Sequence, residues 1–424
     1  MVYVFLADLN EVHVYEAVAI PPMAILHPFR AVRPLPERAS DVACVPYDVV
    51  DTEEARRLAH GNPRSFLHVI RPEIDLSNGI GEYDGLVYAK GAQNLSAYVS
   101  GSDSLTEDEP SLYVYRLIMY GRPHTGIFGC VAVSDYDSNV ILKHEKTRPA
   151  KEDDRTRHII AQRAHAEPIM LTFRDHDGVA RILNETSTTP SLYDFTSPDG
   201  IQHTIWRIAA PADLISYFEE IDRLYVADGH HRCKAASRTA ADLANANDPS
   251  SEVGFFPAVL FPMGNMEILA YNRIIRKLPR TQSEFLSMLR DSLPAGSSSG
   301  PVPDCKGEIS IYLQGGWTSF KLLSPENASV VDRLDVGLLS AYILQPMLNI
   351  TDPRTDSNID FVGGVRGTDE LERLVDSGHA EMAISMYPTS IQELVEVSDA
   401  NLLMPPKSTW FEPKLRSGLL VHLF

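Results

Sequence analysis

The sequence predicts an α/β fold in which α and β segments are mixed, on three observations. Two strand-like runs, Ser111 to Met119 and Thr125 to Val133, flank the turn residues Gly121-Arg122-Pro123. From Asn139 onward an apolar run, a polar loop and a helix-like stretch recur, a rhythm of strands whose ends present loops on one side. With 44% hydrophobic and 22% charged residues, the 424-residue chain has the material for two or three domains with cores of their own.

In chain order, short apolar runs alternate with turn clusters between Pro28 and Ser134, so residues 1–135 are expected to form an N-terminal α/β domain of unassigned role and residues 136–424 a second region that carries the chemistry. The first unit of that region is Val140-Ile141-Leu142, the loop Lys143-His144-Glu145-Lys146-Thr147, and a helix from Lys151 to about His165. Glu152, Asp153 and Asp154 sit in its first turn, where carboxylates complement the helix dipole. Pro168 to Phe173 reads as a strand. The second unit repeats the order: strand Leu224 to Ala227, loop Asp228 to Arg232, and an Ala-rich helix from Cys233 to about Ala246. Ala295 to Pro303 has the composition of a flexible loop, and Ile359 to Val362 followed by Gly363-Gly364 reads as a strand and a turn.

Composition excludes several function classes. A formal charge of −19 repels a polyanion, so no nucleic-acid partner is expected. Cys44, Cys130, Cys233 and Cys305 stand far apart, which fits neither a disulfide framework nor a cysteine zinc site. The apolar stretch Ala17 to Phe29 is broken by Pro21, Pro22 and Pro28 and follows no basic segment, so neither secretion nor a membrane span is expected, and the cytoplasm is. The segment that Met23 opens reads more like a natural beginning than Met1 does, so a start at Met23 is expected.

The chemistry concentrates in a few motifs. A Gly-containing loop between a strand and a helix N-terminus aims free N–H groups at one point, where a phosphate binds. Asp228-Gly229-His230-His231-Arg232 has that placement: Gly229 permits close approach, Arg232 offers a guanidinium fork, and His230 and His231 offer hydrogen bonds or protons. Asp228 beside an anion site makes sense if it holds a divalent cation, Mg²⁺ above all, or takes up a proton. A capping Asp, a turn Gly and solvated histidines would account for the same residues, and the His pair is also compatible with metal-assisted hydrolysis. His144-Glu145 lacks the second histidine of the zinc-protease helix, which leaves Glu145 as a general base beside a phosphate site or as a surface carboxylate. Lys407-Ser408-Thr409, stiffened by Pro405 and Pro406, suits carboxylate or phosphate oxygens, and Asn272 and Arg273 after an apolar run are candidate pocket residues. No GxxxxGK[ST] loop and no GxGxxG element opening a helix is present.

Taken together, Pro28 to Pro34, Val45-Pro46-Tyr47-Asp48-Val49-Val50, Asn62-Pro63-Arg64-Ser65-Phe66, His144 to Thr147, Asp228 to Arg232 and Pro405 to Phe411 resemble, end to end, the family called domain of unknown function 1015. From about Asn139 the chain also resembles, more distantly, the free serine kinases of the ParB/sulfiredoxin-like superfamily. That resemblance implies a ParB/sulfiredoxin-like core over residues 136–424. It assigns Glu145 as the catalytic glutamate, Asp228 as a catalytic metal ligand, Gly229, His230, His231 and Arg232 as phosphate contacts, and Pro406, Lys407, Ser408 and Thr409 as substrate contacts; His230 and His231 are also read as catalytic, and His144, Asn272 and Arg273 as further candidate substrate contacts. It further implies Mg²⁺, with ATP, ADP or pyrophosphate as donor to free L-serine, or the reverse reaction from phosphoserine. Trp410 and Phe411 stand where the kinases carry Arg and His. The N-terminal region has no kinase counterpart, which leaves it substrate gating, donor choice or formation of a homodimer. A metal-dependent phosphatase and a nucleotide-sensing regulatory protein are the alternatives.

Overall fold

The computed structural model describes residues 23–77, 79–245, 251–313 and 315–424. Residues 1–22, on which the choice between Met1 and Met23 turns, lie outside that set.

The hairpin around Gly121 forms as the sequence implies. Tyr113–Met119 and Arg122–Ala132 pair antiparallel with Met119 opposite Arg122. Tyr120 and Gly121 between them take φ of 50° and 78°, the left-handed pair whose twist matches that of the strands. This hairpin is the middle of a nine-stranded mixed sheet. Its order is Ile141–Leu142, Leu224–Asp228, Ile169–Phe173, Phe255–Pro262, Arg122–Ala132, Tyr113–Met119, Gln202–Arg207, Tyr193–Thr196, with Leu26–His27 also paired to Arg122–Ala132. Alternate residues serve opposite cores: Leu224 and Val226 pack on one face, Tyr225 and Ala227 on the other.

A five-stranded sheet, Gly316–Lys321, Glu308–Leu313, Met382–Met386, Tyr271–Ile275 and Ile359–Gly363, packs over a third core. A four-stranded sheet joins Ser104–Thr106 and Ala31–Pro34 to Val421–Leu423 and Ala164–His165. The chain is thus a mixed α/β protein with several sheets. The boundary expected near residue 135 is corrected by this pairing: it cuts a continuous sheet, and the two ends of the chain share another. Early strands complete sheets that later strands begin, a long-range pairing that local composition does not register.

Two helices bear on the site. Pro149–Gln162 starts with its proline in the first turn, where a missing N–H costs nothing, and ends where Arg163 turns left-handed at φ 51°. The second runs from His230 to Asn245, three residues earlier than expected. The strand before it reaches Asp228, so the supposed five-residue loop shrinks to Gly229, whose φ of 106° makes the turn alone. His230, His231 and Arg232 are therefore first-turn helix residues. Ala295–Pro303 is held to the five-stranded sheet, with Ser297 Oγ and the Ser298 N–H each donating to Glu308 at 2.7 Å. Among the described residues no helix is long and apolar enough to cross a membrane.

Candidate functional site

Strand Leu224–Asp228 carries a bulge between Val226 and Asp228 against Ile169–Phe173, which re-aims its last residue at the sheet edge. Gly229 then reverses the chain into the helix. A Cβ on Gly229 would stand 3.1 Å from Arg232 Nε and 3.2 Å from its Cζ, so the guanidinium lies against the space a side chain would fill.

The loop after Ile141–Leu142 is fastened to this helix by both histidines. His230 Nε2 accepts the backbone N–H of His144 at 3.4 Å, and His231 Nε2 accepts that of Arg148 at 3.0 Å. The proton of each neutral ring is therefore on Nδ1, and His230 Nδ1 stands 3.9 Å from Glu145 Oε2. Burial above all pushes the His144 and His230 rings down to about 3. Burial likewise lowers His231, so the rings are neutral at pH 7. The other side of the loop is tied to the C-terminal segment. The Met404 N–H donates to the His144 carbonyl at 2.7 Å, and His144 Nε2 lies 3.3 Å from Thr409 Oγ1. His144 itself is buried, its Nδ1 without a partner.

These ties draw the three sequence-predicted segments to one cleft of about 320 Å³, lined among others by Glu145, Asp228, Gly229, His230, His231, Arg232, Pro406 and Lys407. Six cationic side chains line it, Lys146, Arg148, Lys151, Arg232, Arg354 and Lys407, against three carboxylates, Asp48, Glu145 and Asp228. An excess of three positive charges on one cleft stands out in a chain of formal charge −19. Opposite charge focused in a concavity raises the local concentration of small anions.

The individual residues depart from expectation in instructive ways. Burial opposes charge on Asp228, but Lys414 and then Arg232 outweigh it and hold the carboxyl at about 2. Lys414 Nζ is 3.3 Å from Asp228 Oδ2 and Arg232 Nη2 is 3.8 Å from it. Burial also opposes charge on Arg232, and Asp48, Asp228 and Glu167 overcome it. Arg232 does not offer a free fork: Nη1 donates to the Pro168 carbonyl, Nη2 faces Asp228, and only the buried Nε has no partner. The histidines' Nε2 atoms are likewise engaged, which tells against the alternative of metal-assisted hydrolysis through those atoms.

Lys407 adopts φ 59° and its ammonium lies 5.4 Å from the centre of the Tyr271 ring. Burial works against its charge, while Tyr271 and Glu145 favour it and prevail. Ser408 is turned inward, its hydroxyl donating to the Pro405 carbonyl at 2.6 Å and its own carbonyl accepting from Thr389 at 2.7 Å. Asn272 and Arg273, candidate pocket residues, are instead buried inside the five-stranded sheet. Asn272 Oδ1 accepts the Met386 N–H at 3.0 Å, and Arg273 donates to the Tyr271 carbonyl and, at 3.0 Å, to that of Lys407. Burial lowers Arg273 to about 10. Asn272, Arg273, Ser408, Thr409 and His144 thus back the cleft rather than line it.

Asp48, Tyr47, Arg354 and Lys414 were missed as site residues. Tyr47 and Asp48 lay in a motif already noted, Val45 to Val50, whose position far from the other segments hid its role; Arg354 and Lys414 carry no local signal. Among the described residues no group of three or more His, Cys, Asp or Glu side chains is disposed to hold a metal ion. Magnesium, however, is commonly held by one or two carboxylates with phosphate oxygens completing its shell. Asp228 fits that role only through the oxygen that Lys414 leaves free.

Among solved structures, the chain is similar to SbnI with C-terminal truncation from Staphylococcus aureus, at 14% identity and TM-score 0.38, over 70% of this chain and 87% of that one. It is similar also to a free serine kinase variant in complex with AMP, at 9% identity and TM-score 0.36, over 69% and 92%. A conserved hypothetical protein from Pyrococcus furiosus matches at 10% identity and TM-score 0.34, over 69% and 94%. No curated protein matches the chain. The model of the family described as protein of unknown function (DUF1015) matches residues 26–337, nearly three-quarters of the chain, and the chain belongs to that family.

Proposed function

We propose that the cleft transfers a phosphoryl group between a nucleotide or pyrophosphate and the hydroxyl of a small molecule, with free L-serine and O-phosphoserine the first pair to test. The observation that carries this reading is the excess of three cations around Glu145, Asp228 and the first turn of helix His230–Asn245. Helix N–H groups and lysine or arginine side chains together suit phosphate oxygens. Phosphoryl transfer asks a protein mainly for positioning and charge stabilisation, which such a cleft supplies.

In this reading Glu145 takes the proton of the attacking hydroxyl. The His230–His144 and His231–Arg148 hydrogen bonds fix the backbone on either side of it. Lys407 and the Gly229–Arg232 turn hold the phosphoryl group. Asp228, kept ionised by Lys414 and Arg232, is the residue that would hold Mg²⁺ arriving with the donor, and the ion would neutralise charge on the phosphoryl oxygens. The core is read as ParB/sulfiredoxin-like, with residues before 135 adding a wall of the cleft through Tyr47 and Asp48.

The test incubates the protein and Mg²⁺ with L-serine and each of ATP, ADP and pyrophosphate, and analyses the products by mass spectrometry. Formation of phosphoserine with at least one donor supports the reading. Phosphate release from phosphoserine with no acceptor present would point instead to a hydrolase.

A further inference from the structure

All three carboxylates in the cleft feel positive or polarised protein groups, but only two are in direct contact with them. Asp228 has Lys414 and Arg232, and Glu145 faces His230. Asp48 is different. It is exposed, and among the described residues its side chain makes no hydrogen bond and no ion pair within 4.0 Å.

Nor is its loop a loose surface turn. The Tyr47 N–H donates to Glu167 Oε1 at 3.1 Å, and Arg71 Nη1 donates to the carbonyls of Tyr47 at 2.9 Å and Val50 at 3.2 Å. Arg155 lies 4.0 Å over the Tyr47 ring, and Tyr47 is buried. The backbone on either side of Asp48 is therefore fixed by buried or half-buried charged groups, and its carboxylate is held in a cleft otherwise biased toward anions. A fixed carboxylate with no direct partner there, offset only by the more distant charge of Arg232, repels phosphate and carboxylate alike unless the ligand brings a positive group to it.

We propose that Asp48 receives the ammonium group of the substrate, so that the small molecule taken by this cleft is zwitterionic: a hydroxy-amino acid or its phosphate ester. The assignment rests on the phosphoryl-transfer reading for the place of the anionic groups and adds the cationic one. A metal ion at Asp48 has no supporting ligand set among the described residues. An ammonium needs none, since its three donors and single charge suit one carboxylate.

The test is equilibrium binding, independent of turnover. Wild-type protein and Asp48→Asn are titrated with O-phospho-L-serine, with 3-phosphoglycerate, which carries a hydroxyl in place of the ammonium, and with ADP. Wild type is expected to prefer phosphoserine by about tenfold or more, and Asp48→Asn to lose that preference while its ADP affinity stays unchanged; tenfold corresponds to about 1.4 kcal/mol. Equal binding of the two esters by wild type, binding of neither, or an intact preference in Asp48→Asn overturns the assignment. So does a loss of Mg²⁺-dependent ADP binding in the variant, which would make Asp48 a metal ligand. Failure of wild type to bind ADP with phosphoserine preference retained would sink the nucleotide-donor reading and leave Asp48 as the ammonium receptor.

Discussion

The His231 ring accepts the backbone N–H of Arg148 at 3.0 Å, and together with the His230–His144 contact it brackets Glu145 between two fixed points of one loop. In the proposed reaction the paired histidines would position the base. Removing the acceptor strands a backbone donor and frees the loop. His231→Ala is expected to lower kcat about 10- to 100-fold, the scale of a misplaced reacting group, while ADP binding changes little. Steady-state kinetics beside ADP titration checks this split; a loss confined to ADP affinity would assign His231 to ligand binding.

Burial of the His144 and His230 rings is expected to make the fold acid-sensitive. His144 and His230 lie at about 3, below the ordinary 6.5, so the unfolded chain binds protons first as pH falls. Their contribution is complete above 6.5 and is lost as pH drops from there toward 3, at about 1.4 kcal/mol per pH unit per histidine. Urea midpoints at neutral and mildly acidic pH should diverge accordingly. His230→Gln, which keeps an acceptor that does not titrate, should narrow the difference.

Glu145 is half-exposed at the cleft, where it can reach a ligand hydroxyl. Glu145→Gln preserves shape and hydrogen bonding but not basicity. It should reduce turnover about 10²- to 10⁴-fold with donor and acceptor affinity nearly intact. Unchanged turnover would remove Glu145 from the reaction.

At Gly229, φ is 106° and an added Cβ presses on the Arg232 guanidinium. Gly229→Ala should cost about 1–3 kcal/mol in backbone strain and displace Arg232, lowering both the thermal midpoint and pyrophosphate affinity. An alanine variant as stable as wild type would show that the turn tolerates a side chain.

Because the cleft carries its cations in excess, pyrophosphate binding should weaken steadily with added salt. Lys407→Met should weaken it further, by about tenfold, with a shallower salt dependence. Titrations at low and high ionic strength check both; salt-independent binding would place the anion elsewhere.

What the sequence made legible was local. The Gly121 hairpin, the strand ending at Asp228 and the helix after it follow from turn residues and apolar periodicity, which act over a few residues. What it hid depends on distant partners. Asn272 and Arg273 look like exposed polar tips, yet the strand Tyr271–Ile275 lies between two others and buries both, so Arg273 ends up bonding the carbonyl of Lys407, 134 positions away. Lys414 reaches Asp228 across 186 positions, and Asp48 enters the cleft only because Arg71 and Glu167 hold its loop there. The domain boundary failed for the same reason, since strands on either side of residue 135 complete one sheet. Glu145, Gly229 and Lys407 could be found from motif chemistry because each sits in a segment that joins two elements.

The most direct measurement follows the phosphorus itself. Phosphorus NMR of the protein with Mg²⁺, L-serine and each donor should show a new phosphomonoester resonance matching phosphoserine, present with wild type and lost with Glu145→Gln. No such resonance with any donor, or one that grows equally fast in the variant, would contradict a phosphoryl-transfer cleft built around Glu145.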